Sequence, residues 1–194
     1  MKNFFRKIVR FIAKLFLWFF LITIAWTVLL RFVPVYFTPL MLIRSAEAVC
    51  DGTPVKNSKK WVPIERISPH MIQAVVAAED NLFMEHKGFS FEDIRKAREH
   101  NQKGKRIRGA STISQQTAKN VFLWPKRSYI RKGFEAYFTV LIELFWSKER
   151  IMEVYLNVIE TGRGIYGVEA ASLEYFGKHA SKLSRTQASL IAVC

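Results

Sequence analysis

The segment 68–83 reads SPHMIQAVVAAEDNLF, and its pattern decides how the rest of the chain is interpreted. Ser68 followed by Pro69 is typical of a helix N-terminus, because serine caps the first turn and proline tolerates the first helical position. With 3.6 residues per turn, four side chains share one predicted face: Ile72, Val76, Glu79 and Phe83. Glu79 is therefore predicted to lie on an apolar face.

A carboxylate in such a place supports two interpretations. Burial of an ionised carboxylate is unfavourable without a partner, so the site is expected to raise the proton affinity of Glu79, as a general base or acid requires. Alternatively, Glu79 is a structural carboxylate that pairs with one of the many Lys or Arg side chains. The helical pattern alone leaves both open.

The composition combines strong positive charge with many aromatic residues. The 194 residues carry a net charge of +14, with 16 Phe and 5 Trp, and are enough for one domain of ordinary size beside a membrane segment. Positive charge suggests a polyanionic partner, and aromatic residues suggest a membrane interface or an apolar cleft. Nucleic acid, anionic lipid headgroups and a pyrophosphate substrate remain open at this point.

The N-terminus predicts a membrane anchor. Residues 11–30 form an apolar run interrupted only by Lys14, and about 20 such residues span a bilayer as a helix. Residues 1–10 are basic and lack acidic residues, so we expect a cytoplasmic tail, an anchor at 11–31 and an externally placed remainder. A cleaved signal peptide is the alternative, but the run exceeds a usual apolar region and no Ala-x-Ala site follows.

The next segment, 32–60, is predicted to be a membrane-proximal collar and linker. Its apolar part, 32–43, contains Pro34 and Pro39 and is not expected to form a continuous helix, while residues 51–60 are predicted to be a loop. The domain proper is predicted at 61–194. For an anchored domain, anionic lipid or pyrophosphate fits the charge better than DNA does, so no nucleic-acid partner is expected.

Beyond residue 61 the pattern is mainly helical, and no alternation typical of strands runs far enough to compete. The predicted helices are 68–86, 90–100, 111–120, 128–146, 148–158, 168–176 and 185–193. Cys50 and Cys194 form no disulfide framework, so we predict no essential disulfide. The four histidines lack metal-ligand spacing, so we predict no metal site.

A second carboxylate lies in a basic region. Residues 95–132 contain a single acidic residue, and the stretch 106–110 within them is predicted to be an exposed, mobile loop. Just beyond, Glu135 is predicted to lie beside the buried stripe of its helix, with Arg131 and Lys132 within reach. This is either a weak surface ion pair or, together with Glu79, a pair of acids that flank a glycosidic bond.

Five ordered segments carry a family resemblance. They are EDNLFMEHKGF at 79–89, GASTISQQ at 109–116, RKGFE at 131–135, KERIMEVYLN at 148–157, and RGIYG at 163–167 followed by YFGK at 175–178. Together they resemble the motifs of family 51 peptidoglycan glycosyltransferases. The resemblance implies a lysozyme-like, mainly helical head with a small membrane-proximal jaw. It also implies polymerisation of lipid II into β-1,4 glycan strands with release of the polyprenyl pyrophosphate.

The resemblance assigns roles to individual residues. Glu79 would be the general base toward the sugar hydroxyl, and Glu135 would lie where the pyrophosphate leaves. The substrate-binding residues that it implies are Asp80, Phe83, His86, Thr112, Gln116, Lys119, Arg131, Lys132, Glu153, Arg163 and Lys178. Among these, Phe83 in particular also fits a purely structural role. No cofactor is required, although a divalent cation such as Mg²⁺ could assist the pyrophosphate.

The implied partners are lipid II, the growing glycan strand, the bilayer and proteins of cell-wall synthesis. The implied location is the inner membrane, with the catalytic domain on the periplasmic side. Gln187 replaces the usual Glu of the family at a position that we interpret as structural. The family continues beyond the position of Cys194, which leaves open whether the domain is truncated.

Two other functions compete with the transferase. No Ser-x-x-Lys motif of a transpeptidase occurs, so the chain is expected to be monofunctional. A membrane-tethered glycan hydrolase could use the same two carboxylates. A non-catalytic scaffold could use the basic face to grip anionic lipid.

Overall fold

The computed structural model describes residues 2–104 and 109–193, and these form two compact units, 1–33 and 34–194. The first unit contains helix α1, Lys2–Leu30, and its residues Asn3–Leu30 are long and apolar enough to cross a membrane. This agrees with the apolar anchor predicted from the sequence. The predicted loop at 106–110 falls largely outside the described residues, as does Cys194.

The second unit is mainly α-helical, as predicted. Its helices are α2 Pro39–Cys50, α3 Pro69–Glu79, α4 Phe91–Gln102, α5 Ile113–Phe122, α6 Tyr129–Phe145, α7 Lys148–Val158, α8 Val168–Phe176 and α9 Arg185–Ala192. Its strands are β1 Ser58–Lys59, β2 Glu160–Gly162 and β3 Ile165–Tyr166. The bounds of α7 and α8 match the predicted helices. This mainly helical unit agrees with the lysozyme-like head predicted from the sequence.

Helix α5 lies at the centre of the unit. It packs against α6 and α7, and the rings of Phe122 and Phe138 stack between α5 and α6 with centroids 4.3 Å apart. The side chains of Ile113 and Ala118 are fully buried. Helix α5 begins two residues later than predicted, because Thr112 rather than Ser111 is its N-cap and forms a capping box with Gln115.

A second capping box explains the departure at Gln187. Ser184 caps α9, its hydroxyl accepts the Gln187 N–H, and the Gln187 side chain accepts the Ser184 N–H. A glutamine at this position serves as well as a glutamate. The structural interpretation of Gln187 is confirmed.

Segment 32–43 is not a continuous helix, as predicted, because residues 31–38 are not helical. Helix α2 itself is not among the predicted helices: Pro39 occupies its first turn, where proline is tolerated, and Thr38 caps it. Segment 34–60 belongs to the same compact unit as the residues that follow it. Strand β1 of this segment pairs with β3, and within the segment the Lys59 ammonium donates to the carbonyl oxygens of Val35 and of Tyr36, the latter at 3.0 Å.

The three strands form one small sheet that the sequence analysis missed. Their order is β1-β3-β2, with β1 parallel and β2 antiparallel to β3. Each strand has only two or three residues, too few to show an alternating pattern. Gly164 turns β2 into β3 with a φ of 72°, and an added Cβ would lie 2.2 Å from the Lys56 carbonyl oxygen.

Candidate active site

Glu79 is the last residue of α3, which ends seven residues earlier than predicted. Ser68 caps the helix, as expected, but Asp80 leaves it with a φ of −163°. The buried residues of α3 are Met71 and Val75 rather than the predicted stripe, since the helix packs on α9 through a face shifted by one residue. Glu79 is exposed, so the prediction that it is buried on an apolar face is wrong.

The Glu79 carboxylate is open to solvent and lines a cleft. Gln116 Nε2 of α5 donates to Glu79 Oε2 at 2.5 Å. Glu79 lines a main cavity of about 290 Å³, whose walls come from α2, α3, α5, α7, β2, α8 and α9. It also lines a side cavity of about 260 Å³, formed by residues 77–81, Asp93, Lys96 and 109–112. A carboxylate shared by two cavities can act on a group that reaches in from either one.

Asp80 and His86 form the buried support behind Glu79. The Asp80 carboxylate accepts the Ile113 N–H at the start of α5 and the His86 Nε2–H, both at 2.9 Å. His86 Nδ1 accepts the Gly88 N–H at 3.1 Å, so this network assigns the ring hydrogen to Nε2. Both residues therefore fix the turn after α3, and Asp80 also lines the side cavity.

Phe83 and Thr112 are also internal. The Phe83 side chain is 1% exposed. The Thr112 hydroxyl donates to the Gly88 carbonyl at 2.7 Å and also caps α5. The structure therefore places both residues where they hold the turn against α5.

Glu135 lies on the buried side of α6, which corrects the predicted position beside the stripe. Its side chain is 3% exposed, whereas that of Ile130, in the first turn of the same helix, is 71% exposed. Arg131 Nη1 donates to Glu135 Oε2 at 2.8 Å, and the Lys132 ammonium donates to Glu135 Oε1. Arg131 is 8% exposed, so the pair is a buried ion pair and not a surface one.

Lys119 connects this cluster to Glu79. It lines the main cavity together with Glu79 and Gln116. Burial lowers the pKa of its ammonium; the charge of Glu135 opposes that effect, and the nearby cations Arg131 and Lys132 add to it. Lys119 therefore lies within electrostatic range of the Glu135 cluster, although Glu135, Arg131 and Lys132 do not themselves line either cavity that contains Glu79.

Tyr155 is a cleft residue that the sequence analysis did not single out. It lines the main cavity, and its buried hydroxyl has no hydrogen-bond partner among the described residues. Burial, and secondarily the charge of Glu79, raise its pKa. Tyr155 belongs to the motif at 148–157, but nothing in the sequence showed that its hydroxyl would lack a partner.

Three predicted binding residues lie elsewhere. Glu153 accepts a hydrogen bond from Arg150 Nη1 at 2.6 Å. Arg163 is exposed on the β2–β3 hairpin and lines a separate cavity with Arg44 and Lys56. Lys178 follows α8 and, among the described residues, is not part of the lining of either cavity that contains Glu79. Within the described ranges, no group of three His, Cys, Asp or Glu side chains could hold a metal ion.

The profile of a family described as transglycosylase matches residues 47–194, more than half of the chain. The chain belongs to the transglycosylase family. The predicted site residues, from Glu79 to Lys178, all fall within the transglycosylase match. The apolar helix α1 precedes it.

Curated relatives extend the transglycosylase similarity over most of the chain. Proteins named biosynthetic peptidoglycan transglycosylase from Bacteroides thetaiotaomicron and Bdellovibrio bacteriovorus are each 57% identical, covering 96% and 94% of this chain and 75% and 73% of their own lengths. One of the same name from Caulobacter vibrioides is 53% identical, covering 96% of this chain and 81% of its own length.

Proposed function

We propose that this chain is a peptidoglycan glycosyltransferase that polymerises lipid II into β-1,4 glycan strands and releases the polyprenyl pyrophosphate. One observation carries the proposal. Lys119 lines the cavity that contains Glu79 and also lies within range of Glu135, Arg131 and Lys132. A proton acceptor and a cation thus line the same cavity, with two further cations near Lys119, as suits a reaction with a hydroxyl nucleophile and an anionic leaving group.

Glu79 is the general base in this proposal. Its carboxylate takes the proton of the sugar 4-hydroxyl as that oxygen attacks the anomeric carbon of the growing strand, with inversion. Solvent exposure spares a carboxylate anion the cost of desolvation, and the Gln116 hydrogen bond orients it. Tyr155 supplies an unused donor to the same cavity.

The cations stabilise the leaving pyrophosphate. Negative charge grows on the leaving oxygen in the transition state, and cations already in place stabilise it without reorganisation. Lys119 suits this role, because it has no carboxylate within ion-pair distance among the described residues. Glu135 holds Arg131 and Lys132 in place from behind. A divalent cation would add to this charge without being needed to replace it.

Asp80, His86, Phe83 and Thr112 are support residues in this proposal. Each is engaged inside the turn or the α5 cap, and the proposed role is to fix Glu79 against α5. Glu153 and Arg163 would contact more distant parts of the strand.

We also propose that α1 anchors the chain in the inner membrane, with the N-terminus in the cytoplasm and the catalytic unit on the periplasmic side. The basic residues before the apolar run support this orientation. A lipid-linked substrate is confined to the bilayer surface, so an anchored enzyme meets it at a high local concentration.

The central test is Glu79→Gln in the detergent-solubilised full chain, with labelled lipid II as substrate and product length as readout. We expect a loss of turnover of about 10²-fold or more, because the amide cannot accept the proton. Thermal unfolding should not change, since Glu79 is exposed at a helix end. Glu149→Gln, an exposed carboxylate at the start of α7, is the matched control and should polymerise normally.

The outcomes separate the candidate functions. Long polymer from lipid II alone supports the transferase, whereas cleavage of finished glycan without polymer would indicate a hydrolase. Full polymerisation by a folded Glu79→Gln variant would reject the assigned base. Repeating the assay with a chelator shows whether a divalent cation contributes.

A further inference from the structure

A partly buried ion pair lies behind the turn that follows Glu79, and none of the roles above uses it. Lys148 Nζ and Glu143 Oε1 are 2.8 Å apart, with side chains 19% and 10% exposed. The Ser114 hydroxyl of α5 donates to the same Glu143 oxygen. Among the described residues, neither Glu143 nor Lys148 lines a cavity that contains Glu79. The pair thus joins α5, α6 and the start of α7 without facing the cleft.

The pair also contacts the turn 80–88 at two places. Lys148 Nζ lies 4.6 Å from the centroid of the Phe83 ring, within the range of a cation–π interaction. At the end of the turn, a Cβ added to Gly88 would lie 2.8 Å from Thr139 Cγ2 and 3.1 Å from Glu143 Cγ. The backbone of residue 88 therefore packs directly on the aliphatic part of Glu143.

The same turn sets the position of the proposed base. Glu79 immediately precedes it, and the hydrogen-bond partner of Glu79, Gln116, lies two residues after Ser114 on α5. Glu143 therefore contacts the turn at Gly88 and α5 at Ser114. The Glu79–Gln116 hydrogen bond joins the residue just before this turn to the same helix α5.

The energetics favour a role in geometry over one in stability. A buried ion pair is often no more stabilising than two apolar side chains of similar size, because desolvation offsets the attraction. The hydrogen bonds and charge contacts of Glu143 and Lys148 depend on direction, however, and they favour one arrangement of the two residues with Ser114 and Phe83 over others. An error of about 1 Å in a reacting group can reduce turnover by about 10²-fold.

We propose that Glu143 and Lys148 are positioning residues, which set the placement of Glu79 relative to Gln116 through the turn 80–88 and through Ser114. The inference rests on the proposed function, since it assigns the pair a part in turnover. It goes further in naming two residues that touch no substrate and still govern the base.

The kinetic test uses the full chain in detergent and compares Glu143→Gln and Lys148→Met with wild type on lipid II. We expect kcat to fall about 10- to 100-fold while KM stays within about twofold, because the base is displaced and the binding residues are not. Lys148→Arg keeps a cation above the Phe83 ring and should recover most of the turnover. Glu143→Gln should add little to Gln116→Leu, since both act on one hydrogen bond.

Glu169→Gln is the matched control. Glu169 is 2% exposed and accepts hydrogen bonds from His179 and from the Ala180 N–H, away from the turn. We expect it to lower the melting temperature comparably to Glu143→Gln and to leave kcat unchanged.

Hydrogen exchange tests the positioning directly and independently of activity. Amides of residues 80–88 should exchange faster in Glu143→Gln than in wild type, and not in Glu169→Gln. The positioning role is overturned if exchange in that segment stays the same, or if Glu143→Gln reduces kcat no more than Glu169→Gln does. A wild-type protein that makes no polymer would instead reject the proposed function, while the exchange result would still decide whether the pair holds the turn.

Discussion

Two buried tyrosine hydroxyls, those of Tyr155 and Tyr166, lack a hydrogen-bond partner among the described residues. Their surroundings differ. Tyr155 lines the main cavity, whereas Tyr166 packs in a cluster with Leu40 and Met41. A buried donor without a protein partner is unfavourable, so at the cleft it points to a partner supplied by a ligand.

Tyr155→Phe separates these two situations. Loss of an unpaired buried hydroxyl should leave the free energy of unfolding unchanged or raise it by up to about 1 kcal/mol. The KM for lipid II should rise if the hydroxyl binds substrate. Tyr166→Phe should have the same small effect on stability and none on KM. Equal kinetics for the two variants would show that the Tyr155 hydroxyl is not used.

Lys119 predicts a pH dependence. Burial lowers its pKa, so its ammonium loses the proton at a lower pH than an ordinary lysine, whose pKa is about 10.4. The KM for lipid II should therefore rise as the pH approaches that value, because the neutral amine no longer attracts pyrophosphate. Lys119→Arg keeps its charge and should show no such rise. Lys182→Arg, at an exposed position, should retain the wild-type profile; a flat wild-type profile would contradict the role of Lys119.

Sequence and structure diverge most clearly at single residues. The family motifs identified Glu79, Gln116 and Lys119, and the structure brings all three to one cavity. The exposure of Glu79 could not be predicted, because a one-residue error in the buried face of α3 rotates every side chain by about 100°. The burial of Glu135 depends on α6 packing against α5, which periodicity within one helix does not reveal.

At the level of elements, helix positions were largely predictable and the sheet was not. Caps and proline at the first position locate helix starts from local chemistry, as at Ser128 and Ser147. Strand β1 pairs with residues of β3 that are more than 90 positions away, such as Ser58 with Ile165, so no local signal encodes that pair. Strands β2 and β3 form a local hairpin, but each is too short to show an alternating pattern. Helix α2 is not among the predicted helices, because a proline such as Pro39 is compatible both with an interruption of a helix and with its first turn.

Gly164→Ala tests the sheet. The positive φ of Gly164 and the 2.2 Å approach of an added Cβ to the Lys56 carbonyl oxygen leave no room for a side chain. We expect a loss of about 1–3 kcal/mol in the free energy of unfolding, measured by chemical denaturation. Gly52→Ala has a similar φ of 65° but no atom within 4 Å of the added Cβ, and should cost less. Equal losses would mean that the close contact is relieved by a backbone shift.

At the level of the whole molecule, the fold class followed from helical periodicity and the ordered motifs, and α1 from its apolar length. Its orientation in a membrane remains a prediction from charge. Cys50 offers a direct test, since it is exposed at the end of α2 and is one of two cysteines in the chain.

In a Cys194→Ser background, a membrane-impermeant maleimide applied to spheroplasts should label Cys50. A cysteine placed in the basic tail by Asn3→Cys, in a variant lacking both native cysteines, should react only after permeabilisation. The opposite pattern of labelling would reverse the proposed topology.

The Glu135 cluster has a consequence for inhibitor design. Arg131 and Lys132 share the single carboxylate of Glu135, so a phosphonate drug must compete with Glu135 to engage them. Lys119 has no carboxylate partner within ion-pair distance among the described residues, although burial lowers its pKa and favours the neutral amine at high pH. Compounds that place their anionic group against Lys119 and a hydrogen-bond acceptor against Tyr155 would exploit the two side chains of the cleft that the protein itself leaves unsatisfied.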